Sequence, residues 1–206
     1  MKISDLTLPE HHSVSDWDKP QGPIYVLDSN TYYEPPSSFR ISSINVYNCA
    51  ILSRRSNCQC IPEGAVESAF RANSLSYTRS GVVFHNQSPL GETSLSNGYH
   101  IVISDGAAEL VKTVNGSPNT IGQWSRSLNN NTWYRERYSF VIVGTDLFFR
   151  REYWDGAKWV QVGDDFFDSS PPWLNSTINR LGLFALVSNG TQYYVWHDET
   201  YLYKRA

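Results

Sequence analysis

The chain has 206 residues, 40% of them hydrophobic and 18% charged, with a formal net charge of −3. That length suits one large all-β domain with a sizeable core, and so small a charge excess points to no electrostatic partner. No Lys/Arg run is present to track phosphates, which disfavours nucleic acid as a partner, and no run of ~18 apolar residues is present to span a membrane.

Residues 1–23 are polar and punctuated by proline, and read as an arm or first edge strand. The opening MKISDLTLPEHH lacks an apolar core of signal-peptide length, so the chain reads as unexported, and its five Asn-x-Ser/Thr sequons read as turn chemistry. A single domain then runs over 24–206. Ile24–Leu27 forms a short strand, DSNTYYEPP a loop, and Phe39–Tyr47 a strand by its alternation. The segment 48–63 carries Cys49, Cys58 and Cys60. Their odd number in an unexported chain argues against a disulfide framework. A metal would need a fourth ligand that the spacing does not supply. Idle thiols are the favoured reading, and a Cys49–Cys58 bridge or a metal site stays open.

Ala65–Ala72 is helical by propensity but alternates Val66, Ser68 and Phe70 against Glu67, Ala69 and Arg71. Among strand-like neighbours it reads as a strand. Gly81–Asn86 is another, and Ser88–Asn97 is a polar loop. Tyr99–Ser104 and Ala107–Val114 flank Asp105-Gly106, a strong hairpin signal because both turn positions need positive φ. After the polar connection Ser125–Thr132 come Trp133–Val143 and Leu147–Trp154, joined by Gly-Thr-Asp. Trp154 and Trp159 bracket a four-residue turn, which makes them cross-strand neighbours. Arg150 and Arg151, being adjacent, split between the two faces of their strand. Asp164, Asp165 and Asp168 are placed in a loop. Leu181–Val187 and Gln192–Asp198 close the chain across Ser-Asn-Gly-Thr. No ten-residue segment has a helical period, and turns recur every dozen residues or fewer, the pattern of an antiparallel sandwich or barrel.

The order of these elements resembles the concanavalin A-like lectin/glucanase superfamily, in particular its laminin-G-like jelly rolls. The resemblance runs through VESAFRANS and GVVFHNQS, then GYHIVISDGAAELVKTVNG, then NTWYRERYSFVIVGTDLFFRREYWDG, and ends in RLGLFALVSNGTQYYVWHDETYLY. It covers roughly residues 60–205 and implies an all-β, two-sheet antiparallel jelly-roll sandwich. It also implies that Trp133-Tyr134 is core and strand-start material and that Trp196 packs inside. Glycosidases of this superfamily carry Glu-x-Asp-x-(x)-Glu on one strand, which puts two carboxylates on one face. That motif is missing here. Glu152 and Asp155 differ in parity, as do Asp198 and Glu199, while Asp16 and Asp18 sit in the arm. None of the five His (His11, His12, His85, His100, His197) forms a visible Ser/His/Asp arrangement.

Sugars stack on aromatic rings and take hydrogen bonds from neighbouring polar groups. The candidate platforms are Trp154, Trp159 and Trp173 beside turns, with Tyr193 and Tyr194 on the last strand. For the Trp154–Trp159 pair, closing the sandwich edge is the favoured role. A structural Ca²⁺ of the kind some jelly rolls hold could draw on Asp28, Asp164, Asp165 and Asp198, although turn formation accounts for loop carboxylates more simply. The function expected is a non-catalytic binding or structural module. By analogy with the class it is placed on a virion surface, as a capsid decoration or tail-fibre type component made in the host cytoplasm. The alternative location is extracellular. Its partners are then a glycan or other proteins of an assembly, and it is a homo-oligomer or particle-bound. The competing function is a glycoside hydrolase or lyase with a rearranged carboxylate pair.

Overall fold

The computed structural model describes residues 24–28, 30, 33, 38–42, 49–52, 61–87, 95–187 and 193–204. The expected arm 1–23 lies outside them, as do Cys58, Cys60 and the second half of the strand expected over Phe39–Tyr47. The described residues form fourteen strands: β1 (Ile24–Asp28), β2 (Ser38–Ser42), β3 (Cys49–Leu52), β4 (Gly64–Ala72), β5 (Thr78–Asn86), β6 (Gly98–Ser104), β7 (Ala107–Val114), β8 (Ser117–Ser125), β9 (Tyr134–Val143), β10 (Asp146–Trp154), β11 (Trp159–Gln161), β12 (Phe166–Asp168), β13 (Arg180–Val187) and β14 (Tyr194–Lys204). The larger sheet has the order β1-β2-β14-β4-β9-β10-β11, with β12 also paired to β10, and the smaller has the order β3-β13-β5-β6-β7-β8. Their ladders are antiparallel throughout. This is the two-layered sandwich the resemblance implies.

Ala65–Ala72 lies within β4, so its alternation prevailed over its helix propensity. The Asp105-Gly106 hairpin is present, with positive φ at both residues. Three elements depart from the sequence reading, the first being β3, which forms within the cysteine-bearing segment 48–63. β8 was not expected, although Asn115-Gly116 before it has the same positive-φ signature. It is an edge strand, largely exposed and carrying Pro118, so it lacks the apolar alternation that marks a buried strand. Asp168 belongs to β12, not to a loop. Three residues are too short for a periodicity signal, and what makes them a strand is pairing with Leu147–Phe149.

Side chains of alternate parity meet between the sheets. Val66, Phe70, Phe140, Leu147, Phe149 and Leu202 of the larger sheet face Val82, Phe84, Tyr99, Ile101, Leu110, Trp124 and Leu183 of the smaller. Each fully buried side chain of this kind contributes about 1.5–3 kcal/mol. Phe84 lies 5.1 Å from Phe140 and 6.0 Å from Phe149, and Tyr99 lies 5.0 Å from Phe149, so aromatic rings join the layers. Gly81 sits where β5 meets β6. A Cβ there would lie 1.7 Å from the Ile101 carbonyl oxygen, so only glycine permits this approach.

Among the described residues one ion pair is sealed inside. Arg151 of β10 and Glu136 of β9 are both 0% exposed in their side chains. Arg151 Nη2 donates to Glu136 Oε1 at 2.6 Å and Nε to Oε2 at 3.0 Å. Arg126 Nη1 donates to Oε1 at 2.8 Å, and the Tyr138 hydroxyl donates to Oε2. The Trp124 carbonyl accepts from Arg151 Nη1. Burial by itself would lower the Arg151 pKa, but the Tyr138 and Glu136 oxygens outweigh it and raise it. Burial is also the main cause that pushes the Tyr138 hydroxyl well above its ordinary value, with Glu136 adding to it. Removing one partner strands the other charge. Arg151→Ala is therefore expected to lose about 3–5 kcal/mol in urea unfolding, while the double variant Glu136→Leu/Arg151→Met recovers most of that loss. A double variant as unstable as the single one would show that the pair is not what holds this region.

Candidate functional site

The outer face of the larger sheet carries the residues left over by that inward alternation. Glu67, Ala69 and Arg71 of β4, Arg135 and Arg137 of β9, Arg150, Glu152 and Trp154 of β10, and Trp159 of β11 share it by register. On β14 an irregularity between Asp198 and Tyr201 shifts the phase, so Tyr194, Trp196, Tyr201 and Tyr203 all face the same way.

Charges on this face are matched in pairs. Arg135 donates from Nε and Nη2 to Glu67 Oε1, at 2.8 and 2.6 Å, and Tyr203 donates to Glu67 Oε2 at 3.1 Å. Burial, followed by the Glu67 charge, raises the Tyr203 pKa. Arg137 reaches Glu152 Oε2 at 3.0 Å. Arg150 grips Asp165 with two bonds of 2.8 and 2.7 Å, which raises its own pKa. Such forked pairs hold both side chains in fixed orientations. Trp154 and Trp159 are directly opposite and meet edge to face at 5.5 Å, and the Arg137 guanidinium lies 4.3 Å from the Trp159 ring centroid. The turn between the two tryptophans is held by Asp155, whose Oδ1 accepts the Ala157 and Lys158 N–H groups; these bonds lower its pKa. At the β14 end, Tyr194 and Trp196 are 5.6 Å apart. Arg40 lies 5.1 Å from the Tyr194 ring centroid and Arg71 lies 5.3 Å from that of Trp196. The Tyr33 N–H donates to Asp198 Oδ2 at 2.7 Å, and the Tyr33 ring meets Trp133 at 6.0 Å.

Of the five expected platforms, Trp154, Trp159 and Tyr194 share this face. Tyr193 precedes it with opposite parity and stacks on Tyr77 at 4.6 Å. Trp173 packs against the core, edge-on to Tyr99 at 5.4 Å. Trp196 is buried, but not inside the sandwich as the resemblance implied. Its neighbours Val195 and His197 take the inward positions, and Trp196 is covered on the outer face by groups such as Arg71. Of the expected Ca²⁺ ligands, Asp165 gives both oxygens to Arg150, Asp198 accepts from Tyr33, and the Asp164 carbonyl accepts from Trp124 Nε1. Asp28 ends β1 in register with Ser38, and its side chain lies outside the described residues. Among the described residues no three His, Cys, Asp or Glu gather.

Two polar clusters were not anticipated because their members are far apart in sequence. His197 accepts or donates at both ring nitrogens, to Ser68 Oγ and Ser80 Oγ at 3.1 Å each, and Ser68 Oγ also meets Thr200 Oγ1 at 3.0 Å. The inward parity of Ser68 and His197 was the available signal. His197 is 1% exposed, so this Ser/His arrangement bridges the sheets and meets no substrate. Asp168 Oδ2 accepts from Tyr99 at 2.6 Å and from Lys112 at 2.7 Å. Burial pulls the Asp168 pKa upward, but the bonds from Lys112, Tyr99 and the Ser170 N–H outweigh it and hold the carboxyl below its ordinary value.

The sandwich superposes on several solved structures of known proteins. The carbohydrate binding module CBM66 from Bacillus subtilis has a TM-score of 0.55 at 13% identity, over 90% of this chain and 99% of its own. A legume lectin-like domain from Entamoeba histolytica has a TM-score of 0.61 at 11% identity, over 94% of this chain and 92% of its own. A xylan β-1,4-xylosidase from Bacillus halodurans C-125 has a TM-score of 0.56 at 13% identity, over 99% of this chain but 40% of its own length. No family model and no curated protein matches the sequence. The fold is thus a concanavalin A-like jelly roll.

Burial lowers the pKa of His85, His100 and His197 to about 4 each. Because the folded values lie below the unfolded value of about 6.5, the unfolded chain takes up protons first as pH falls. The stability these neutral rings contribute is complete above about pH 6.5 and is lost on the way down to pH 4. Denaturant unfolding between pH 7.5 and 4.5 should show uptake of about three protons, a slope approaching 4 kcal/mol per pH unit. His197→Gln should remove about a third of it. A flat profile over that range contradicts the burial of these rings.

Proposed function

We propose that this concanavalin A-like jelly roll is a non-catalytic glycan-binding module that takes a saccharide on the outer face of its larger sheet. The observation that carries the reading is the Trp154–Trp159 pair, partly exposed and backed by guanidinium groups held by carboxylates. Aromatic rings give a sugar's C–H face something to stack on, and the fixed Arg, Glu and Asp groups beside them give its hydroxyls donors and acceptors. The likeness to a carbohydrate binding module over nearly its whole length supports this reading, as does the likeness to a lectin-like domain. By analogy with jelly rolls displayed on virions, we extend it to a module carried on a particle. A trimer or larger in light scattering supports that extension, and a monomer removes it.

The hydrolase reading has one observation in its favour. Glu67, Arg137 and Glu152 lie in one cross-strand row, which sets the two glutamates two strand spacings apart, about 9.6 Å along the backbone. That is near the range for an inverting pair. However, both carboxylates are bonded to guanidinium groups and Glu67 is 2% exposed, so neither stands free to pass a proton to a substrate.

On a glycan array the protein should bind saccharides, and Trp159→Ala and Trp154→Ala should each weaken binding at least about ten-fold while the melting temperature holds. The bound saccharide should release no reducing ends. Release that disappears in Glu67→Gln or Glu152→Gln would establish the hydrolase instead.

A further inference from the structure

We infer that the glycan is acidic, and that Arg71 receives its carboxylate or sulfate group. The inference rests on the glycan-binding reading of the outer face and adds the ligand's charge to it.

Arg71 differs from its neighbours in how its charge is met. Arg135, Arg137 and Arg150 are each committed to a carboxylate at 2.6–3.0 Å. Arg71, on the same face, has no carboxylate partner among the described residues. Its Nη2 makes a 3.4 Å bond to the neutral Asn131 Oδ1, and its Nε is shielded from solvent with no acceptor. Its other contact is the Trp196 ring, 5.3 Å from the guanidinium carbon. A ring face attracts a cation but does not neutralise it. The result is a positive group, positioned by an aromatic ring, with its donor capacity mostly unused.

A guanidinium in that condition matches a planar carboxylate or a sulfate through two parallel N–H bonds. With Nε covered, the two terminal nitrogens form the edge a ligand can reach. The Tyr194 ring lies beside it, 5.6 Å from Trp196, with Arg40 5.1 Å from its centroid. Arg71 lies on β4 and Trp159 on β11, three strand spacings away, about 14 Å. An oligosaccharide crossing the strands can therefore stack at Trp159 and present a charged residue to Arg71. A neutral glycan would leave this cation unmatched and desolvated, which disfavours it.

The test uses hexagalacturonate with its methyl-esterified form, and a chondroitin sulfate hexasaccharide with its desulfated, carboxyl-reduced form, each titrated calorimetrically into the full chain. At least one acidic ligand should bind ten-fold or more tightly than its neutral counterpart. The gap should narrow as salt rises. Arg71→Gln should close the gap and Arg71→Lys should keep part of it, with the unfolding transition of each variant recorded to show that it is folded. Equal binding of charged and neutral forms overturns the inference and leaves the glycan reading standing. A gap that persists in Arg71→Gln also overturns it. Binding of no oligosaccharide, on these probes and on the array, removes both.

Discussion

Glu136 and Arg151 are charged side chains enclosed between two apolar layers, a placement tolerable only when each polar atom is met. The Glu136 carboxylate is met by Arg151, Arg126 and Tyr138, and Arg151 by Glu136 and the Trp124 carbonyl. These bonds set how β9 lies against β10. A slip of one residue would turn Glu136 to water and drive Arg135 or Arg137 into the core. The buried pair and the outer ladder are consequences of a single register, because residues 135, 136 and 137 alternate across the same strand. What is exposed on the outside is specified by what must be satisfied inside.

The same alternation explains the chemistry available on the outer face. Long side chains on adjacent strands stand about 5 Å apart, close enough for cross-strand ion pairs. Arg135–Glu67 and Arg137–Glu152 use that spacing, Arg150 pairs with Asp165 just before β12, and the result is a nearly neutral surface with tryptophan at one edge. Pairing of this kind limits proton transfer but favours recognition, because a bound ligand meets groups already oriented. Against such a background an arginine held by an aromatic ring and an amide marks where charge remains to be met.

Several features could be read directly from local order. Asp105-Gly106 announced its hairpin, the alternation of Ala65–Ala72 identified a strand against its own helix propensity, and the neighbouring Arg150 and Arg151 separated to opposite faces as parity demands. Trp154 and Trp159 met across their turn for the same reason. Where local order was silent, the reading went astray. Asn115-Gly116 has a hairpin's turn chemistry, yet β8 after it is an exposed edge strand without apolar alternation. β12 is too short for any period, and Trp196 faces outward because the strand's parity, not its size, decides its side.

The sequence by itself determined the class of fold and, along regular stretches of strand, which residues share a face, because the pleat has a two-residue period and turns need residues that tolerate positive φ. Only the tertiary structure decided which faces meet and which charges pair. Glu67 finds Arg135 across 68 positions, and Ser68 finds His197 across 129. The irregularity after Asp198 brings Tyr201 and Tyr203 to the side of Trp196. Strand order and register arise from the summed packing of both sheets, and no local window of residues contains that sum.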